Sequence, residues 1–492
     1  MTIYYVRKSG SDSNAGTSPA AAWLTIGKAL GASGISSGDT VYIGPGVYRE
    51  QVTVAMTSAT AETFVIGDVT GAYTGDTPGP VRITNRTTND TTLTASADFI
   101  LDLGSKDHLT FQYLDFDSSF ENTWGIVEAT AGTQYITFRD CSFIVISTVG
   151  GVNTFQIAVG DANASAHWLI ERCKIWAWGS MAFQINNAAV PSAALDMDFI
   201  IQNCYIVAGQ GAVFTGDAAN QRLGGLIVRN SFIWCDSGPC VDQTNGNTTY
   251  PTLVENNILY SNPFWNDYAI KADAANDQIV ENYNYIIAAN DRLNVDVGAN
   301  SKDDGSYAFL VHHGQEVQGG GRIRPVGTPT SDSPLLGFGN SSDAPSVDLL
   351  NRPRPASLNG SYSMNAVGPY ERHDTGTEET TVYDSPPSSM KITGPGDHDF
   401  EIPVNSLAAV NLSVMVRYNG DHGSANKPQV QVLADSVLGV NAETLTMTEA
   451  ADTWERLEFS SFTPLAYGVV RLRCISRAAA GNGIAYFDSI TV

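Results

Sequence analysis

Basic residues are scarce in this chain. Its 27 lysines and arginines stand against 51 aspartates and glutamates, a net charge of −24 over 492 residues. An acidic excess of that size repels nucleic acid and anionic membrane, so neither is expected as a partner. Charged residues of both signs make up only 16%, while Gly, Ser, Thr and Asn are plentiful, as in all-β chains with many turns. No run of about 18 apolar residues occurs, so no transmembrane helix is expected. The opening MTIYYVRKSGSDSNAG has no apolar core and no small-residue cleavage site. If this is the native start, the chain is not expected to be a Sec substrate, and lysis, another secretion route or carriage on a virus particle are the expected ways out. Cysteines are few, six in all, and none has the spacing of a zinc site. Cys235 and Cys240 flank one short loop and could pair in an oxidising compartment; Cys474 has no obvious mate. The length calls for more than one hydrophobic core.

What the chain does have is a repeat. Six segments, ITFRDCSF, LIERCKIW, IIQNCYIV, IVRNSFIW, LVENNILY and IVENYNYI, align on one column holding Cys141, Cys173, Cys204, Ser231, Asn257 and Tyr283. The steps are 32, 31, 27, 26 and 26 residues, and a fainter copy, TFQYLDF, sets Leu114 in the column 27 residues before Cys141. β-Branched repeats of this length without a helical period indicate a solenoid of stacked strands. In the third copy Phe199, Ile201, Cys204 and Ile206 point inward, Gln202, Tyr205 and Val207 outward, and Asn203 sits at a sharp bend. The same bend then holds Asn230, Asn256 and Asn282, a residue type that tolerates left-handed backbone and can bond to its stacked copies. The stacked cysteines are expected to be buried thiols.

Before the repeats, IYYVRK (residues 3–8) reads as a strand. Ser18-Pro19 reads as a helix start, with Trp23, Ile26, Gly27 and Leu30 on one face of a helical cap. GDTVYIGPGVYRE (residues 38–50) reads as the first full rung. This N-terminal pattern resembles the cap and first coil of the right-handed parallel β-helix proteins, the pectate-lyase-like superfamily. Residues 333–372, SPLLGFGNSSDAPSVDLLNRPRP through VGPYER, are similar to the closing stretch of such chains. The resemblance implies fold and leaves activity open, because the superfamily holds lyases, hydrolases, epimerases and non-catalytic virion proteins. From about residue 373 alternating strands replace the rungs: SMKITG, DFEIPV, NLSVMVRYNG, PQVQVLAD, WERLEFSSF, GVVRLRCIS and IAYFDSITV. They indicate a β-sandwich, and their order resembles jelly-roll modules of the carbohydrate-binding type. That resemblance implies a structural calcium near the last strand, with Asp488 as ligand; the alternative is a strand-edge aspartate that binds nothing. The expected organisation is an all-β chain: helical cap 1–37, parallel β-helix 38–345, closing segment 346–372 and sandwich 373–492.

Chemistry is expected on a strand face that a polymer can cross. Aligning Ile126, Phe155, Phe183, Val213, Val241 and Ile270 as inward residues gives the outward column Val127, Gln156, Gln184, Phe214, Asp242, Lys271. Two residues further on lie Ala129, Ala158, Asn186, Gly216, Thr244 and Asp273. Gln156, Gln184 and Asn186 suit sugar hydroxyls, and Phe214 suits stacking on a ring. Asp242 and Asp273, on adjacent rungs, have the reach of a glycosidase pair. Lys271 between two acids suits an acid or a binding group better than a base. A solvated rod surface is the bland alternative. His312-His313 could serve a base or a metal, or sit in an exposed turn.

A second outward column is apolar: Ile144, Trp176, Val207, Trp234, Tyr260 and Ile286, with Tyr205, Phe232 and Ile258 beside it. A stripe of that size is expected to be covered, by loops, by the C-terminal domain or by an oligomer interface built on Trp176, Tyr205, Phe232, Trp234 and Tyr260, with a trimer favoured. A β-helix rod with a carbohydrate-binding-like domain, no export signal and an acidic surface resembles bacteriophage tail-spike or head-decoration proteins. The expected function is a virion-surface protein that binds glycans, with other virion proteins as partners. The competing expectations are a polysaccharide lyase or glycoside hydrolase, and a purely structural adhesin.

Overall fold

A computed structural model describes residues 1–303 and 377–491, apart from the stretches 85–98, 120–124, 147–152, 160–165, 188–194, 217–222, 245–248, 262–267, 273–278, 380–388, 405–408, 423–425, 434–439, 464–467 and 479–482 and a few single residues, together with the strand pair Leu310–Val311 and Thr328–Pro329. Two compact units divide the chain, residues 1–307 with 334–371, and residues 308–333 with 372–492.

The first unit is a parallel β-solenoid. Three sheets of ten, ten and nine strands run along it. One rung contributes one strand to each, as in Trp168–Glu171 (first sheet), Lys174–Trp178 (second) and Met181–Asn187 (third). Each strand pairs in parallel with its copy one repeat away. Alternation decides what goes inside. In Trp168–Glu171, Trp168 and Ile170 are buried, and Leu169 faces out half-exposed. Inward rings stack rung upon rung: Phe111 on Phe138 at 4.9 Å, Phe116 on Phe143 at 5.1 Å, Phe155 on Phe183 at 4.7 Å and Trp168 on Phe199 at 5.6 Å. Such stacks add to burial itself and help to hold the register.

The bend between first and second sheets requires left-handed backbone. Tyr113, Asp140, Arg172, Asn203, Asn230, Asn256 and Tyr283 all have φ between 50° and 58°. Three of the four expected asparagines are there, but Tyr283 takes the place expected for Asn282. The hydrogen-bonded ladder lies one residue further along. Cys204 N donates to Ser231 Oγ (3.1 Å), Ser231 N to Asn257 Oδ1 (2.9 Å), Asn257 N to Asn284 Oδ1 (3.0 Å) and Asn284 N to Ser301 Oγ (3.0 Å). The amide of Asn230, by contrast, makes no side-chain hydrogen bond. So the inward column ends in Asn284, not Tyr283, and the second-sheet column ends in Ile287, not Ile286. The cause is Glu281. It occupies an inward position opposite Val254 and is satisfied there by Arg292 Nε (2.7 Å), Gly298 N (2.6 Å) and Asn284 Nδ2 (2.9 Å).

The expected N-terminal helical cap does not form as a helix. Pro19–Ala21 is a 3-10 turn capped by Ser18, and only Ile26–Ala29 is α-helical. Between them Trp23 is extended, because its N–H donates to Tyr5 O (2.9 Å) and its carbonyl accepts from Arg7 N (2.8 Å). Trp23, Ile26 and Leu30 still enter the core, and Trp23 stacks on Tyr4 at 5.0 Å. All six cysteines are buried free thiols. Burial pushes the Cys141, Cys204 and Cys240 thiols well above their ordinary range.

The second unit is antiparallel, as its alternating sequence predicts. A five-stranded sheet contains Ser413–Tyr418 and Ile484–Thr491, and a four-stranded sheet contains Gln429–Val432 and Gly468–Arg477. Val414, Val416, Val430, Leu472 and Phe487 supply buried side chains.

Candidate functional site

The outer face of the third sheet is built by strict alternation. In Asn153–Val159, Phe155 and Ile157 are buried, whereas Gln156 and Ala158 are half-buried and face out. Parallel register then carries this column along the rod. Thr53 pairs with Asp102, Asp102 with Glu128, Glu128 with Gln156, Gln156 with Gln184, Gln184 with Phe214, Phe214 with Asp242, and Asp242 with Lys271. At about 4.8 Å per rung the column from Asp102 to Lys271 runs about 29 Å.

Gln156, Gln184, Phe214, Asp242 and Lys271 thus share one column as the sequence predicts. Val127 does not. It turns inward opposite Phe155, and Glu128 takes the outward place. The second column correspondingly holds Thr130 rather than Ala129. Both Ile126 and Val127 are fully buried, so apolar periodicity could not decide between them. Asp102 was missed as well, in the two-residue strand Leu101–Asp102; the alternation in LDL was its one signal. A hollow in this face has a volume of about 340 Å³ and is lined by residues 128–130 and 156–158 and by Asn186.

The two ends of the column differ. At one end Asp242 is buried, and Lys271 Nζ donates to its Oδ2 at 2.8 Å. Asp242 and Lys271 thus form an ion pair across two adjacent rungs. Asp273 lies outside the described residues, as do His312 and His313. At the other end Asp102 and Glu128 place two carboxylates on adjacent rungs. Asp102 Oδ1 accepts from Gly104 N at 2.8 Å. Between the ends, the amide of Asn153 donates to Gln184 Oε1. Amides that donate and accept, beside a hydroxyl and two acids, match the hydrogen-bonding pattern of a sugar's hydroxyls. Among the described residues no group of three or more His, Cys, Asp or Glu is arranged to hold a metal. Asp488 pairs with Met415 within the strand Ile484–Thr491, and its side chain is outside the described set.

The expected interface stripe lies on the second sheet, where Trp176, Val207, Trp234 and Tyr260 are in register and Tyr205 stands beside Phe232. Trp234 stacks on Tyr260 at 3.7 Å and Tyr205 on Phe232 at 5.2 Å. Within the single chain Tyr205, Phe232, Trp234 and Tyr260 are 5%, 1%, 4% and 8% exposed, and Trp176 is half-buried. The four buried residues present no open apolar face to a partner.

No family model and no curated protein matches the chain. Among solved structures it is similar to a pectin methylesterase from Erwinia chrysanthemi, at 13% identity over 62% of this chain and 93% of that one, with a TM-score of 0.33. It is also similar to a tailspike protein mutant of an E. coli bacteriophage solved with a pentasaccharide, at 12% identity over 96% of this chain and 85% of that one, TM-score 0.33. A family 16 carbohydrate-binding module covers 24% of this chain and 84% of its own length, at 19% identity and a TM-score of 0.19. The β-solenoid assignment rests on the chain's own strand register.

Proposed function

We propose that the third-sheet face binds an extended polysaccharide, on a protein displayed at a virion surface or otherwise outside the cell. The observation that supports this reading is the in-register column Glu128, Gln156, Gln184 with Thr130 and Asn186 beside it. A linear polymer of sugars presents hydroxyls at intervals close to the rung spacing, so one side chain per rung can meet it. Phe214, next along the column, supplies a ring face. The acidic surface keeps such a rod soluble. The test is binding to a panel of bacterial capsular and pectic polysaccharides. Binding by the intact chain, weakened about tenfold by Gln156→Ala or Gln184→Ala, is the expected result, since one lost hydrogen bond costs about 1 kcal/mol or more. No binding to any glycan, or binding indifferent to both variants, overturns it. Presence of the chain in purified particles tests the virion location separately.

A second reading, glycoside hydrolysis, is favoured by Asp102 and Glu128 on neighbouring rungs. Adjacent-rung carboxylates fall near the separation of about 5–5.5 Å used by retaining enzymes. New reducing ends that vanish in both Asp102→Asn and Glu128→Gln support it. Glycan binding without any new ends leaves binding as the function.

A further inference from the structure

The hollow in the third-sheet face owes its place to one small residue. Parallel register sets Ala158 against Asn186 on the next rung. It sets Ile157 against Ala129 on the rung before, so Thr130 lies on the other side of Ala158. A single methyl thus stands between two longer side chains, and the hollow of about 340 Å³ opens over it. Glu128 and Gln156, in the neighbouring outward column, complete its polar wall. Glu128, Gln156 and Asn186 are half-buried and Thr130 is exposed, so each presents part of its surface outward. The volume is near the lower end of the roughly 300–1,000 Å³ of small-ligand sites. It suits a unit of a polymer, whose remaining length would run along the column.

Charge narrows what that unit is. The column from Thr53 to Lys271 holds three carboxylates, Asp102, Glu128 and Asp242, and one ammonium, Lys271, a net charge of −2. Lys271 is 2.8 Å from Asp242, so the excess falls at the Asp102 and Glu128 end, where the hollow is. The turn after Asp102 adds Lys106 and Asp107, one charge of each sign, and leaves the sum unchanged. A carboxylate on the glycan would meet like charge there, on a chain that carries −24 in all. Hydroxyls meet the opposite case. They can donate to Glu128 and accept from the amides of Gln156 and Asn186.

We infer that the hollow over Ala158 selects the glycan, taking an uncharged sugar residue and refusing a uronate. This rests on the reading of the third-sheet face as a polysaccharide site and adds the class of sugar to it.

The test is titration of the full chain with three sets of probes. They are uncharged bacterial and plant polysaccharides, the uronate polymers polygalacturonate and alginate, and the same two polymers after reduction of their carboxyls to alcohols. Salt at about 0.15 M screens repulsion from distant parts of the surface. The best uncharged probe should bind at least about tenfold tighter than either uronate polymer, and reduction should tighten binding of the uronate polymers. Ala158→Trp fills the hollow from an outward position and should weaken binding of the uncharged probe about tenfold or more. Ala158→Ser, of nearly the same size, should leave it within about twofold. Both variants should keep the parent's circular-dichroism spectrum. Glu128→Gln should narrow the gap between uncharged and uronate probes. Uronate polymers that bind as tightly as uncharged ones, and are weakened by Gln156→Ala, overturn the choice of sugar while the face remains a polysaccharide site. Binding indifferent to Ala158→Trp overturns the role of the hollow. Binding of no polysaccharide at all removes the reading of the face, and this inference with it.

Discussion

At Asn257 a buried amide holds three rungs together. Its Nδ2 donates to Val228 O (2.8 Å) and Asn284 Oδ1 (3.1 Å), and its Oδ1 accepts from Ser231 N (2.9 Å). Asn230, one residue earlier in the preceding rung, is equally buried but makes no such bonds; its part is the left-handed backbone at φ 50°. The two asparagines should therefore differ in what their loss costs. Asn257→Ala leaves a buried N–H and a buried carbonyl without partners and should cost about 2–4 kcal/mol. Asn230→Gly keeps the permitted backbone and removes a buried amide that bonds nothing. It should cost about 1 kcal/mol or less. Urea unfolding of both variants beside the parent chain measures the contrast. Equal losses would mean that the bend column and not its inward neighbour carries the ladder.

At the scale of elements, the first strand, Ile3–Val6, is the open end of the first sheet. It is tied down by Arg7, whose guanidinium pairs with the carboxylate of Asp76 and donates to Pro19 O (3.0 Å). The hydrogen bonds from Arg7 hold the Asp76 carboxyl below its usual range. A lowered carboxylate pKa contributes stability above the unfolded value near 4, and that stability is lost as pH falls through the lowered one. Asp76→Asn should loosen the first strand by about 1 kcal/mol at neutral pH, discounted for partial exposure. Variant and parent should converge in acid. Hydrogen exchange of the Ile3–Val6 amides against pH reads this directly; a difference that persists in acid would contradict it. The elements also show how far the sequence could be read. Inward Cys141, Cys173, Cys204, Ser231 and Asn257 revealed the repeat because each is small, buried and framed by β-branched residues. The last copy shares the string VEN with its predecessor, yet sits one place off, because Glu281 turns inward to Arg292. A period of two cannot register such a slip when a buried acid looks like a surface one. The same ambiguity at Ile126 and Val127 hid Glu128, half of the carboxylate pair.

At the scale of the whole molecule, the two units have different architectures, and their stabilities should separate. Among the described residues the solenoid's buried cluster runs from Val6 to Ile286. Within it Phe183 is fully buried, stacked on Phe155 and edge-on to Phe199 at 6.4 Å. In the C-terminal unit Leu472 is fully buried and pairs with Phe400 and Val432 in its sheet. Calorimetry of the full chain should show two transitions rather than one. Phe183→Ala should lower one of them, by about 3–5 kcal/mol in stability, and leave the other in place. Leu472→Ala should do the reverse, at about 2–5 kcal/mol. The net charge of −24 adds a condition: self-repulsion is strongest in dilute buffer, so added salt should raise the melts of parent and variants together. If either substitution moves both transitions equally at fixed salt, the units fold as one cooperative body, and the separation of cores does not govern stability.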